Sequence, residues 1–166
     1  MRGADDQVGS GHTAARPPAR ASHDLQLQLT SFIGRGTELD LADGLLSRHR
    51  LVTLTGPGGA GKTRLAAQTA AGQGERYPDG IRWVDLATVA DGTAVAETVA
   101  EAAGVPDLGG PLRALVAHLA TRRMLLCLDN AEHLLDAVAD LAEAVLRRCP
   151  EAALLVTSRE PRGVPG

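Results

Sequence analysis

The sequence predicts an α/β fold, with a parallel β-sheet covered by helices on both faces in three layers. Short β-favouring runs alternate along the chain with helix-like segments, which is typical of crossover connections between parallel strands. One run, Met124–Asp129, is apolar up to its final aspartate, which indicates a strand covered on both faces. The chain shows no internal repeat of about 20 to 50 residues, so a repeat architecture is excluded.

Before this alternation begins, the chain predicts two unlike segments. Residues 1–24 mix Gly, Ala, Pro and balanced charges without periodicity. They lack the apolar surface that would offset the entropy cost of ordering, so we expect a disordered tail. Residues 25–29 then alternate leucine with polar residues, which favours an extended segment before the turn at Gly34 and Gly36.

Helix and strand signals follow at regular intervals. Thr37 is placed to cap a first helix, because acidic residues follow in the first turn. The predicted apolar face of this helix comprises Leu39, Ala42, Leu45 and Leu46. The other predicted helices begin at Lys62, cover 93–103, cover 112–121 and end at Cys149-Pro150. The last of these has an apolar side of Leu134, Leu135, Val138, Leu141, Ala142, Val145 and Leu146. The predicted strands are 51–55, 81–87, 124–129 and 153–158.

Composition excludes several functional classes. The 166 residues are 44% hydrophobic and 22% charged, with a net charge of -3 and no basic block, which disfavours a polybasic surface for nucleic acid or acidic lipid. Cys127 and Cys149 show neither CxxC nor Cys/His spacing, which disfavours a metal site or a disulfide framework. No apolar run reaches the roughly 18 to 20 residues of a membrane span. We therefore expect a soluble cytoplasmic protein with reduced thiols.

A glycine-rich loop carries the clearest chemical signal. The segment Thr55–Arg64, TGPGGAGKTR, matches G-x-x-x-x-G-K-[ST] and lies between a predicted strand and a predicted helix, as a phosphate-binding loop requires. Glycines leave main-chain N–H groups open to a polyphosphate, and the following helix adds the positive end of its dipole. The predicted nucleotide-binding residues of this loop are Gly56, Pro57, Gly58, Gly59, Ala60, Gly61, Lys62, Thr63 and Arg64.

Lys62 is the one lysine among the 17 Lys and Arg residues of the chain. A guanidinium is a rigid planar fork, whereas an ammonium is a compact charge on a flexible stem. The ammonium can therefore curl over the loop and reach β- and γ-phosphate oxygens together. This requirement explains why a chain that otherwise uses arginine has a lysine at this position.

Residues that follow two later strands complete the predicted site. Thr63 would place its hydroxyl on Mg²⁺, with Asp129 as its acidic partner, although a strand-end aspartate is also a common helix cap.

Asn130 is an amide and cannot act as a general base, so hydrolysis should be slow. Glu132 could replace that base or could be an early helix residue favoured by the dipole. Arg159 could sense a γ-phosphate, or could be a surface arginine paired with Glu160 or water.

Five segments taken in order resemble one known family. They are LTSFIGR, TGPGGAGKTRLA, WVDLA, LLCLDNAEHLL and LLVTSREPRGVPG. The series resembles the NB-ARC-like nucleotide-binding domain of STAND-class P-loop NTPases, found in bacterial LuxR-type and SARP-type transcriptional regulators, and it covers residues 25–166. The resemblance implies that Ile33, Gly34 and Arg35 lie against the adenine. It also implies that Asp129 is the Walker B acid and that Arg159 is sensor 1, the two candidate catalytic residues.

The resemblance also implies a function and a boundary. Family members are switches, held off with ADP and turned on with ATP, and they can self-associate in their full-length context. Their sheet order, 5-1-4-3-2, would make the phosphate-loop strand an uncovered edge here, because the sequence ends in GVPG, which resembles the connector before the fifth strand. We therefore expect an ASCE-type sheet that is incomplete at its C-terminus, and a chain that is marginally stable and binds no nucleic acid directly.

Three other interpretations remain open at this stage. A turnover ATPase of the AAA+ kind would need a glutamate beside Asp129, where Asn130 stands. A small-molecule kinase would need an arginine-bearing lid, and residues 91–111 offer little cationic material. An inert remnant of a longer protein would share the fold and differ only in whether nucleotide binds.

Overall fold

The computed structural model describes residues 36–106 and 110–159. The predicted tail over residues 1–24, the extended segment at 25–29 and the predicted adenine contact at 33–35 lie outside these ranges. The closing GVPG segment also lies outside them.

The described residues form one sheet with helices between its strands. The strands are β1 (Leu51–Gly56), β2 (Gly80–Asp85), β3 (Met124–Asp129) and β4 (Ala153–Arg159). The helices within these ranges are α1 (Gly36–Arg48), α2 (Lys62–Gly72), α3 (Val95–Ala102), α4 (Pro111–Leu119) and α5 (Leu135–Arg148). Short 3₁₀ turns at Gly92–Ala94 and Ala131–His133 precede α3 and α5.

All strand pairs are parallel, and their order across the sheet is β1-β4-β3-β2. The strand before the glycine loop is therefore separated from the strand that ends in Asp129 by β4, as in the ASCE-type order. Because every strand runs in the same direction, all four carboxyl ends meet at one edge of the sheet. The register places Gly56 beside Arg159 and Asp85 beside Asp129 at this edge.

The core lies on both faces of the sheet, which confirms the predicted three-layer α/β fold. All six residues of β3 are buried. Leu125 and Cys127 pack in a cluster with residues of α1 and α2, whereas Leu126 and Leu128 pack with residues of α3, α4 and α5. Side chains alternate between the two faces of a strand, so a continuous apolar run supplies both layers at once.

Several predicted boundaries are wrong, each for a local reason. The second strand ends at Asp85 instead of residue 87, because the Asp85 carboxylate accepts the N–H of Ala87 at 2.9 Å and turns the chain. The helix expected from residue 93 begins at Val95, after a 3₁₀ turn. The side chain of Asp91 caps that turn by accepting the N–H of Thr93 at 2.8 Å.

Two predicted helix details also differ from the structure. The sequence pattern predicts Leu135 on the apolar side of the last helix, but its side chain is 48% exposed. The 3₁₀ turn at Ala131–His133 places Leu134 in the core before α5 begins, and this changes the phase of the helix relative to the sequence pattern. The first helix begins at Gly36, so Thr37 lies inside it instead of capping it.

In the sheet that the described residues form, β1 is one of the two edge strands. Within the described residues, β1 pairs with β4 and has no second strand neighbour. Val52 on this strand is buried, while Leu51 is 40% exposed. In the described residues, no helix combines the length and the hydropathy that crossing a membrane requires.

Leu126 tests this account of the core, since its side chain is fully buried. Leu126→Ala should lower the free energy of unfolding by about 2–5 kcal/mol, because it removes buried methyl groups and leaves a cavity. Urea denaturation followed by circular dichroism measures the loss. Leu135→Ala, the same substitution at a half-exposed position, should cost less than about 1 kcal/mol. Equal losses at both positions would contradict the burial described here.

Candidate functional site

The loop between β1 and α2 is shaped by its glycines. Gly59 and Gly61 have φ angles of 79° and 77°, in the left-handed region that side-chain-bearing residues rarely adopt. The N–H of Ala60 donates to the carbonyl of Pro57 at 3.2 Å, and the N–H of Leu65 donates to that of Gly61 at 2.9 Å. The chain therefore turns tightly after the strand and enters α2 at once.

Lys62 folds back across this loop. Its Nζ donates to the carbonyl oxygens of Gly56 at 2.7 Å and Pro57 at 2.9 Å. The first turn of α2 also contains Thr63 and Arg64 and no acidic residue. Cations at the N-terminus of a helix are unfavourable because they meet the positive end of its dipole. An anion bound in the loop would offset this charge.

Asp129 lies behind Thr63 at the end of β3. Its side chain is buried, and its Oδ1 accepts hydrogen bonds from the Thr63 hydroxyl at 3.0 Å and from the Thr157 hydroxyl. Burial raises the pKa of the Asp129 carboxyl above its ordinary value, and these hydrogen bonds act in the opposite direction. Because the Thr63 hydroxyl donates its hydrogen bond to Asp129, the lone pairs of the hydroxyl oxygen are available to a cation.

Asn130 is held by residues that the sequence analysis did not single out. It has a φ of 60°, and its Nδ2 donates to Asp85 Oδ1 at 2.8 Å. Its main-chain N–H donates to the Thr157 hydroxyl at 3.1 Å. The sequence could have indicated Asp85, because the segment WVD ends in an acidic residue as the segment LLCLD does. Nothing comparable pointed to Thr157, because its contacts depend on how β3 and β4 lie side by side.

Glu132 and Arg159 form an ion pair at the mouth of the loop. Arg159 Nε lies 2.9 Å from Glu132 Oε1. Glu132 belongs to the 3₁₀ turn at Ala131–His133 and not to the first turn of α5, where the sequence pattern placed it. The neighbouring His133 is exposed, and its Nε2 lies 3.0 Å from the carbonyl oxygen of Val89.

These side chains surround a cleft of about 280 Å³. It is lined by Gly58, Gly59, Gly61, Lys62, Thr63, Arg64, Asn130, Glu132 and Arg159. The predicted residues Gly56, Pro57, Ala60 and Asp129 lie around it without lining it. Three cationic side chains face one carboxylate here, so the cleft suits a polyanion. A larger cleft of about 790 Å³ is lined by Asp91, Glu132, Asp136 and Asp140, whose charges would repel phosphate.

The donor set fits the ligands that the sequence predicts. A Cβ added to Gly58 would lie 4.0 Å from Cζ of Arg159, so the guanidinium lies over the glycine loop. Phosphate oxygens are bound well by main-chain N–H groups, ammonium and guanidinium together. Hydroxyl and carboxylate oxygens, as on Thr63 and Asp129, are the ligands that Mg²⁺ prefers.

Known proteins resemble this chain in sequence. A family model described as an AAA domain matches residues 45–159. A protein of Mycobacterium tuberculosis named "Putative HTH-type transcriptional regulator" is 50% identical over 124 residues, which are 74% of this chain and 14% of that protein. A second protein of that organism, named "Uncharacterized protein", is 45% identical over 147 residues. That match covers 87% of this chain and 37% of the relative, so the chain spans well under half of the length of either protein.

Comparison with solved structures supports the same fold. The crystal structure of Cdc6p from Pyrobaculum aerophilum superposes with a TM-score of 0.55 at 20% identity, and it covers 89% of this chain and 42% of that protein. A likeness at this identity concerns the fold alone. The family model, in contrast, extends over most of the chain and contains the whole phosphate-loop cleft from Gly58 to Arg159. The chain therefore belongs to the AAA domain family of P-loop NTPases.

Proposed function

We propose that this chain is an ATP- and ADP-binding switch module with slow Mg²⁺-dependent hydrolysis, within a signal-responsive transcriptional regulator of the STAND class. The observation that carries the proposal is the contact of Thr63 with Asp129 beside the curled Lys62, in a cleft whose other lining groups include Arg64 and Arg159. This arrangement combines a polyphosphate-binding loop with two oxygen ligands for a divalent cation.

Each group of the cleft receives a separate role in this proposal. Lys62 and the main-chain N–H groups of the loop hold the phosphates. Thr63 would offer its hydroxyl oxygen and Asp129 a carboxylate oxygen to Mg²⁺, and the Asp129 carboxylate also accepts the hydrogen bond that orients this hydroxyl. When bound, Mg²⁺ would neutralise charge on the phosphate oxygens. Arg159 acts as the sensor of a terminal phosphate.

Slow hydrolysis follows from the position after Asp129. Asn130 carries an amide, which cannot take a proton from water, and this amide is hydrogen-bonded to Asp85. The side chain therefore fixes the strand ends to one another instead of activating a nucleophile. A module that binds ATP and hydrolyses it slowly stays in its ATP state long enough to transmit a signal.

The regulatory context is supported by the relatives and by the sequence resemblance. The name of one relative at 50% identity refers to a transcriptional regulator, and this chain matches 14% of its length. We propose that residues 25–166 are the NB-ARC-like part of such a protein and that residues 33–35 contact the adenine. DNA binding would belong to other parts of the regulator, and self-association would depend on the nucleotide state.

A turnover ATPase is the second candidate, and one observation favours it. Glu132 is the one carboxylate among the described residues that line the cleft. A glutamate in this position could act as a general base if it were released from Arg159.

Measured turnover separates these two candidates. We expect the purified chain to release phosphate from Mg-ATP at well below about 1 s⁻¹, since ordinary enzymes turn over at about 1–10³ s⁻¹. A coupled phosphate-release assay gives this rate. A rate of several per second would favour the turnover ATPase instead.

Lys62→Ala tests the nucleotide site. The substitution removes an ammonium that makes charge-assisted hydrogen bonds, so the affinity for Mg-ADP should fall by about 10- to 150-fold. Isothermal titration calorimetry measures this affinity, and circular dichroism should show an unchanged fold. Arg147→Ala, which removes an exposed cation paired with Glu143 on α5, should bind like the wild type. Equal nucleotide binding by the Lys62 variant and the wild type would rule out the assigned site.

Asp129→Asn should raise the stability of the fold and weaken cation binding. Above the raised pKa of Asp129, the wild type carries a buried charge, so the variant should have the higher thermal midpoint without nucleotide. The difference should shrink as the pH falls through that pKa towards about 4, because the wild-type carboxyl is then neutral too. The Mg²⁺-dependent part of nucleotide affinity should be lost.

Calorimetry from pH 4 to pH 8 measures both effects. Asp140→Asn, at an exposed position of α5, is the matched control and should change neither stability nor Mg²⁺ dependence. A lower thermal midpoint for Asp129→Asn at neutral pH would contradict the burial cost assigned to this carboxyl.

A further inference from the structure

Arg159, the proposed sensor of a terminal phosphate, already has an anionic partner in the structure. Its Nε lies 2.9 Å from Glu132 Oε1, and both side chains line the phosphate-loop cleft. A guanidinium binds carboxylate and phosphate with the same fork of N–H groups. The two anions therefore require the same donors.

We propose that Glu132 is a specificity-determining residue, which competes with the terminal phosphate of ATP for Arg159 and so weakens ATP binding relative to ADP. This inference rests on the proposed function, since it concerns the same nucleotide site. ADP lacks the phosphate that this exchange requires, so its affinity does not include the cost of breaking the ion pair.

The two partners differ in how easily they can move. Glu132 lies in the short 3₁₀ turn at Ala131–His133, and this turn is anchored by the fully buried side chain of Ala131 and the buried Leu134 that follows it. Its own side chain is 26% exposed, while that of Arg159 is 66% exposed. Arg159 can therefore change its partner by rotating its side chain, while β4 stays in place. The Glu132 carboxylate stays in place, and the Arg159 guanidinium moves from it to the phosphate.

The exchange also changes the charge balance of the cleft. With Glu132 paired, one of the cations facing the glycine loop is already neutralised. Once Arg159 contacts phosphate, the Glu132 carboxylate is left beside Asn130 and without that cation. The ATP-bound state therefore includes the cost of an unpaired glutamate, which the ADP-bound state avoids.

The size of the effect follows from the exposure of the pair. An ion pair that is exposed to this degree changes an equilibrium constant by a factor of roughly two to five. In Glu132→Gln, the amide lacks the charge that retains Arg159, so the affinity for the β,γ-imido analogue of ATP should rise by about that factor relative to ADP. The ratio of the two affinities is the quantity to measure.

Removing a negative charge from a cationic cleft strengthens the binding of every nucleotide, so a double-mutant cycle is needed. Isothermal titration calorimetry with Mg²⁺ is carried out on the full chain for the wild type, Glu132→Gln, Arg159→Ala and the double variant. The imido analogue and ADP are the two probes. Glu143→Gln is the matched control, because it makes the same change in an exposed ion pair with Arg147 on α5.

We expect Glu132→Gln to raise the analogue-to-ADP affinity ratio in the wild-type background and to leave it nearly unchanged once Arg159 is alanine. Glu143→Gln should leave both affinities as in the wild type. An unchanged ratio in Glu132→Gln, or an equal rise in both backgrounds, would overturn the competition while leaving the nucleotide site intact. If the wild type binds neither probe, the proposed function itself fails, and the inference fails with it.

Discussion

The site depends on one constraint, which is that parallel strands deliver their carboxyl ends to the same edge of a sheet. The order β1-β4-β3-β2 places the end of β4 between the glycine loop and Asp129. Asp129 is buried there, and a buried carboxylate requires hydrogen-bond donors. The hydroxyls of Thr63 and Thr157 supply them from α2 and β4. One carboxylate therefore connects the phosphate loop to the middle of the sheet.

A second feature is the excess of positive charge around the loop. Lys62 occupies the first turn of α2 and donates to two carbonyls of its own loop. Arg159 reaches the same cleft from β4 and is neutralised by Glu132. Both cations thus have internal partners that a phosphate could replace.

Membership of the AAA domain family accounts for the fold and for a phosphate-binding loop, while the chemistry depends on individual side chains beside that loop. Asn130 stands after Asp129, and its side chain joins the ends of β2 and β3 through Asp85. Glu132, three positions after Asp129, is paired with Arg159 in the same cleft. The proposed slow hydrolysis rests on these two contacts.

Much of the architecture could be predicted because it depends on local sequence patterns. Short β-favouring or apolar runs and helix-like segments identified all four strands of the described chain and the helices between them, and β3 was predicted with its exact bounds. The phosphate loop was equally visible, because its glycines and Lys62 are adjacent in sequence. The predicted ends of strands and helices were wrong where a side chain such as Asp91 or Asp85 accepts a hydrogen bond from a main-chain N–H group.

The partners within the site were decided by tertiary structure. Thr157 lies 28 residues from Asp129, and Asp85 lies 45 residues from Asn130, so no local period relates them. Which residues meet depends on strand order and register, and these are set by the packing of helices on both faces of the sheet. The sequence by itself determined that a glycine-rich phosphate loop lies between a strand and a helix. Only the folded chain decided that Glu132 pairs with Arg159, because that contact requires the 3₁₀ turn after β3 to lie beside the end of β4.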